Sequence, residues 1–186
     1  TASPDTRLEL NFYTGRVEVD GKYVTLDDGT PLQYMPLVVE QNLTASKYIE
    51  TAGARMKKYE VDRTAYSDGR MPDNDIVLYR YADVLLMKAE AKVRNGESGD
   101  EQLNAVRSRV GMPSLAATLA NILDERLLEL VWEGWRRQDM IRFGTYCAPY
   151  DIHTPSAADK KGYTIVFPIP EKARELNPNL AQNPGY

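Results

Sequence analysis

From Asn74 onward the apolar residues fall into three- and four-residue steps, and this period makes most of the chain helices packed side against side. Leu78, Ala82, Leu85, Leu86, Ala89 and Val93 mark a first helix running from Asn74 to a left-handed cap at Gly96. A second helix is predicted from Asp100 to Val110, with Leu103, Val106 and Val110 inward and Gly111 as its stop. The short connection leaves the two antiparallel, as a helical hairpin. A third begins at Thr118 as N-cap and carries Leu119, Ile122, Leu123, Leu127, Leu130 and Val131, with Gly134 closing or kinking it. The segment Arg136–Arg142 continues helically to Gly144.

Residues 1–72 follow no such period. Tyr13-Thr14-Gly15, Asp27-Asp28-Gly29 and Ser67-Asp68-Gly69 are turn signals, so this stretch reads as loops and short strands. Alternating residues over Arg16–Asp20 and Lys22–Leu26 flank Asp20-Gly21, which predicts a small hairpin with a type I′ turn. Past Gly144, the residues Pro149, Pro155 and Gly162 mark a long loop, and Tyr163–Phe167 reads as a strand stopped by Pro168-Ile169-Pro170. Glu171–Leu176 makes one helical turn, and Asn177-Pro178 and Asn183-Pro184-Gly185 lay an irregular tail over the surface. The reading is mainly α, with a loop-rich segment at 1–72 and a helical region at 73–186, one domain that is part of a larger one.

Charge narrows the partners. A net charge of −4 gives no basic field to gather phosphates, which argues against nucleic acid and anionic membrane surfaces and favours a neutral ligand or a protein. Cys147 is the single cysteine, so no internal disulfide and no cysteine-based metal cluster is expected. No stretch approaches the roughly 18 apolar residues of a membrane span, and no charged-then-apolar leader opens the chain. The start at Thr1, without an initiator Met, is that expected of a trimmed product.

Glu125, Glu129 and Glu133, four apart, share one helical face and invite a carboxylate metal site or an acid/base pair. A di-metal site of that kind needs a Glu-x-x-His partner, and the only histidine, His153, lies in a loop downstream. Ion pairing with Arg126, Arg136 and Arg137 is the expectation instead. Arg136 and Arg142 bracket Asp139 as a structural clasp. Trp132 and Trp135 have the flat faces that stack on a pyranose, but their place in an apolar helix favours core packing.

His153 has no Gly-x-Ser-x-Gly elbow to serve, Cys147 reads as a packed thiol, and Gly96-Glu97-Ser98-Gly99 lacks the Lys of a phosphate loop. No catalytic residue, metal ligand or cofactor is assigned. The excess is in tyrosine, 12 in all, with Tyr13, Tyr23, Tyr34, Tyr48, Tyr59 and Tyr66 in the loop-rich third. Each ring offers a stacking surface and a hydroxyl at low entropy cost, or else packs its own strand. Tyr13, Tyr23, Tyr34 and Tyr66 are the candidate ligand contacts.

Five segments in order resemble the C-terminal region of the SusD/RagB family: Asp75–Ala91 with its Arg80-Tyr81-Ala82-Asp83, Leu103–Met112, Ile122–Leu130, Glu133–Arg142, and the closing Phe167–Pro170, Asn177-Pro178 and Gln182–Tyr186. The first 72 residues match only through Lys57-Lys58-Tyr59. The resemblance implies a fold of tetratricopeptide-like helical hairpins in a surface-exposed lipoprotein of the cell outer membrane. It implies binding of an oligosaccharide and its delivery to a SusC-like TonB-dependent transporter, with no catalysis. A helical-repeat interaction module or a peptide-binding relative is the alternative. The lipid-bearing cysteine and the N-terminal half of the family are absent from this chain, and the internal Cys147 is not that anchor. Arg80, Asp83, Arg107, Glu125, Arg126, Glu133, Arg136 and Asp139 correspond to the family's scaffold.

Overall fold

A side chain starts the first element in the computed structural model, which describes residues 4–38, 43–67, 69, 71–150 and 153–186. Asp5 Oδ1 accepts from the Arg7 amide at 3.0 Å, at the entry to helix α1 (Arg7–Asn11). Among the described residues, three two-residue antiparallel ladders then nest inside one another. They are β1 (Phe12–Tyr13) on β6 (Arg55–Met56), β2 (Gly15–Arg16) on β5 (Gln33–Tyr34), and β3 (Glu18–Val19) on β4 (Lys22–Tyr23). At the tip Asp20 and Gly21 have φ of 51° and 76°, the two positive values a type I′ turn requires, so the predicted hairpin forms. Thr1 and Asp68, named in the sequence reading, lie outside the described residues.

From Tyr81 onward the described elements are helices, and the chain's contacts group into two compact units, Thr1–Glu133 and Gly134–Tyr186. In the first, α2 (Tyr81–Arg94) packs on α3 (Asp100–Arg109) and α4 (Leu119–Glu129). Leu86 and Ala89 of α2 meet a core of Leu103, Val106, Val110, Ile122, Leu123 and Leu130, all buried. Gly96 ends α2 at φ 78°, with the Gly96 and Glu97 amides donating to the Val93 and Lys92 carbonyls, a Schellman motif. Thr118 caps α4 by accepting from the Asn121 amide.

Helix α2 begins seven residues later than the period predicts. Residues 74–80 are not helical, Arg80 is extended at φ −142°, and Leu78 is 70% exposed. The Arg80 guanidinium is tied to the far end of α4, which holds its backbone out of the helix.

Where α2 and α3 meet, Gly99 leaves no space for a side chain: an added Cβ would lie 2.7 Å from the Ala89 carbonyl oxygen and 3.0 Å from its Cα. Both neighbours are backbone, so the helices must separate to admit it. Gly99→Ala is expected to lower stability by about 1–3 kcal/mol, read from the urea midpoint.

In the second unit, α5 (Arg136–Arg142) lies where the sequence places it. The expected long loop holds a short helix, α6 (Ala157–Lys161), started by a capping box in which Ser156 and Asp159 serve each other's amides. The expected strand at Tyr163–Phe167 does not form; Tyr163–Ile165 is a single 3₁₀ turn. Its polar groups are already taken, since Arg137 Nη2 donates to the Thr164 and Ile165 carbonyls at 3.1 Å each and the Thr164 hydroxyl donates to Asp159. Helix α7 (Glu171–Leu176) matches the predicted turn. The tail is held by amides, with Gln182 bonding both the N–H and C=O of Ile169 and Asn183 donating to the Phe167 carbonyl.

Candidate functional site

Helix α4 stops at Glu129, and the chain turns through Leu130–Gly134 with Trp132 at φ 69° and Gly134 at 80°. A bulky residue at positive φ is strained and persists only where its surroundings hold it. The indole is 45% exposed and tilts 55° against Phe12, ring centroids 5.9 Å apart. Trp132 is therefore not the helical core residue the sequence predicts. Leu127, Leu130 and Val131 continue the helical period, but the carbonyls freed at the helix end find cations, and the backbone leaves the helix.

Those cations are Lys58 and Arg80. Lys58 Nζ donates to the Glu129 carbonyl at 2.7 Å, to the Val131 carbonyl at 3.2 Å and to the Glu133 carboxylate. An ammonium has three N–H donors, and each has an acceptor here. Arg80 donates to the Glu129 carbonyl, to the Glu129 carboxylate at 2.6 Å, and from Nε to both Glu133 oxygens at 2.9 Å. Positive charge at the C-terminal end of a helix also suits its dipole.

The network reaches deeper. Glu129 accepts from Arg7 and Arg109, and Glu125 from Arg7 at 2.7 Å and Arg107 at 2.6 Å. The three glutamates thus take cations from α1, the segment after β6, the approach to α2, and α3. Of the arginines the sequence reading names for these glutamates, Arg126 reaches Asp83 and Arg137 reaches the Thr164 and Ile165 carbonyls. Among the described residues no group of His, Cys, Asp and Glu is placed to hold a metal ion.

Electrostatics follow from this geometry. Burial opposes the charge of Arg7, yet Asp5 and Glu125 hold its pKa above the ordinary guanidinium value. Burial draws the Lys58 ammonium below its ordinary 10.5 even though Glu133 sits on it. Burial also opposes ionisation of Glu133, but Arg80 and Lys58 hold its carboxyl below the ordinary 4.5. A carboxylate with a depressed folded pKa contributes stability that is complete above its unfolded value and is lost as pH falls through the folded one. The urea midpoint is accordingly expected to fall progressively below pH 4.5, with a shallower fall in Glu133→Gln.

Beside this node lies a cleft of about 420 Å³ lined by Met56, Tyr59, Pro72, Asn74, Asp75, Ile76 and Trp132. Ligand clefts span roughly 300–1,000 Å³ and combine apolar walls with a few polar groups. Here an indole and a phenol ring supply flat apolar surface, while an amide and a carboxylate supply hydrogen-bonding groups. A sugar ring needs both, an apolar face for its C–H surface and acceptors for its hydroxyls.

The four candidate tyrosines lie elsewhere in the same unit. Tyr13, Tyr23 and Tyr34 each carry a cation over one ring face: Lys57 at 5.5 Å, Arg16 at 4.4 Å and Arg55 at 4.7 Å. The ladders bring two of them near one another, because Arg55 pairs with Tyr13 across β1–β6 and stacks on Tyr34. Tyr66 is 81% exposed. In the second unit, Arg142 holds the buried Asp139 at 2.7 Å, one half of the expected clasp. His153 stacks on Tyr150 at 4.7 Å, and Cys147 Sγ lies 3.9 Å from the Thr164 hydroxyl. Among the described residues no helix is long and apolar enough to cross a membrane.

Comparison with known proteins places this architecture. The starch-binding protein SusD of Bacteroides thetaiotaomicron is 30% identical over 139 residues, covering 71% of this chain and 25% of SusD. A SusD-like protein of Formosa agariphila is 31% identical over 130 residues, 61% of this chain and 25% of its own. The chain thus spans about a quarter of the length of the curated relatives it matches. Among solved structures, surface glycan-binding protein A of Bacteroides thetaiotaomicron superposes with a TM-score of 0.67 at 25% identity, over 99% of this chain and 39% of that one. A structure of the same protein in complex with laminarihexaose gives 0.67 at 24%, over 98% and 39%. The SusD family model matches residues 38–151, well over half of the sequence. This chain is a member of the SusD family.

Proposed function

We propose that the protein binds an oligosaccharide without transforming it, as part of a lipoprotein on the cell outer membrane that hands the glycan to a SusC-like TonB-dependent transporter. The observation that carries the reading is the cleft at Trp132, where an exposed indole held out of the core faces Tyr59, Asn74 and Asp75. Family membership agrees with it, and so does the laminarihexaose seen on a structure of the same fold. Tyr13, Tyr23, Tyr34 and Tyr66 extend the aromatic surface as outer contacts for a longer glycan, with cations fixing three of the rings. Delivery needs a protein contact as well, and α2 presents Tyr81, Val84 and Met87, all exposed and at three-residue steps, as an apolar row for it.

Calorimetric titration of plant, host and microbial oligosaccharides tests the reading. Saturable heat with one glycan class, and no product in the mixture afterwards, is the expected result. Absence of binding across the panel, with the protein recovered on an outer-membrane channel, would replace sugar capture by transporter docking.

A further inference from the structure

We propose that Lys58 and Arg80 are positioning residues for the Trp132 cleft, joining its three walls at one half-buried ionic node. The inference rests on that cleft being the glycan site. One wall, Met56 and Tyr59, lies on the segment that carries Lys58. The second, Pro72 and Asn74–Ile76, lies on the segment that leads to Arg80. The third is the turn bearing Trp132, and both cations grip it on either side of the indole, at Glu129 before it and at Glu133 after it. Lys58 takes the Val131 carbonyl too, one residue before the strained backbone.

Nothing in the apolar packing demands a positive φ at Trp132. The indole is nearly half exposed, so it does not gain a core position by adopting it. What demands it is the convergence of the Glu129 and Val131 carbonyls and the Glu133 carboxylate on one ammonium. With all three N–H donors of Lys58 used, an apolar side chain of similar length strips the Val131 carbonyl of its donor and leaves the Glu129 carbonyl and the Glu133 carboxylate to Arg80 alone, which loosens the turn. An indole that must be ordered at the moment of binding costs affinity that a pre-set one does not. Lys58 and Arg80 line the adjoining pocket with Tyr59 but do not line the cleft itself, so their effect on a ligand passes through the wall residues.

The test uses a Trp135→Phe background, in which Trp132 is the only tryptophan of the chain. Emission and acrylamide quenching then report Trp132 directly. Lys58→Met is expected to shift the emission, to change acrylamide access, and to weaken the glycan found by calorimetry roughly tenfold. Lys58→Arg, which keeps a cation and its donors, restores part of each. Arg109→Met is the control, because Arg109 donates to the Glu129 carboxylate and not to the Leu130–Gly134 turn; it lowers the urea midpoint and leaves the Trp132 signals in place. Glu133→Gln keeps shape and loses charge, and it serves if Lys58→Met does not fold.

Wild-type emission and quenching in Lys58→Met, or in Glu133→Gln where that stands in, would overturn the proposal. So would an Arg109→Met signal that moves as far. If no oligosaccharide binds the wild type, the glycan reading falls, while the acrylamide readout still decides whether the node sets the indole.

Discussion

Replacing Arg126 with methionine is expected to destabilise the protein by about 3–5 kcal/mol, the cost of leaving one partner of a buried ion pair alone. Arg126 and Asp83 are each 1% exposed and meet at 2.7 Å, joining α4 to α2 in the centre of the first unit. Asp83 Oδ2 already has no hydrogen-bond partner, so the carboxylate left by the substitution has no reserve. Against a typical domain stability of roughly 5–15 kcal/mol, this is a large share. Removing both charges, as Asp83→Asn with Arg126→Met, is expected to recover part of the loss, because no unpaired charge remains buried. The exposed pair Arg63 and Asp20, 3.3 Å apart, gives the contrast: breaking it should cost under about 1 kcal/mol. Urea midpoints of the single and double variants measure all three.

Trp132→Ala is expected to weaken glycan binding by about 2 kcal/mol or more, roughly thirtyfold, with little loss of stability. The asymmetry follows from position. An indole 45% exposed, with Phe12 as its ring partner, holds little of the core, yet it forms the broadest flat surface of the cleft. Trp135→Phe should leave affinity unchanged, since Trp135 does not line the cleft. Calorimetry gives the affinities and a thermal melt checks the fold.

Periodicity carried the helices well because it records burial directly: Leu86, Leu103, Val106 and Ile122 are inward in sequence and in structure. Glycines marked the ends of α2 and α3 and the hairpin tip for equally local reasons. The failures are also physical. Period alone does not tell an apolar residue in a helix from one in an exposed approach, so Leu78 was drawn into α2 and Trp132 into α4. The Ser156-to-Asp159 spacing is a local capping signal for α6, legible without the fold.

The ionic partners were illegible for a different reason. Arg7 meets Glu125 across 118 positions and Lys58 meets Glu133 across 75, and spacing within a helix says nothing about which distant segment returns to it. The cleft is illegible with them, because its walls come from three segments separate in sequence, which Lys58, Arg80 and the hydrogen bond from Asn74 to the Glu60 carbonyl bring together. Tyr59 was in view as one of many tyrosines, and only the fold sets it beside Trp132.

The measurement that bears most directly on glycan capture at Trp132 is the emission of that residue, in the Trp135→Phe protein, as each oligosaccharide of the panel is added. A saturable change in emission, with the affinity found by calorimetry and abolished in Trp132→Ala, is the predicted result. Saturable binding that leaves Trp132 emission unchanged, and that survives Trp132→Ala, would contradict the account.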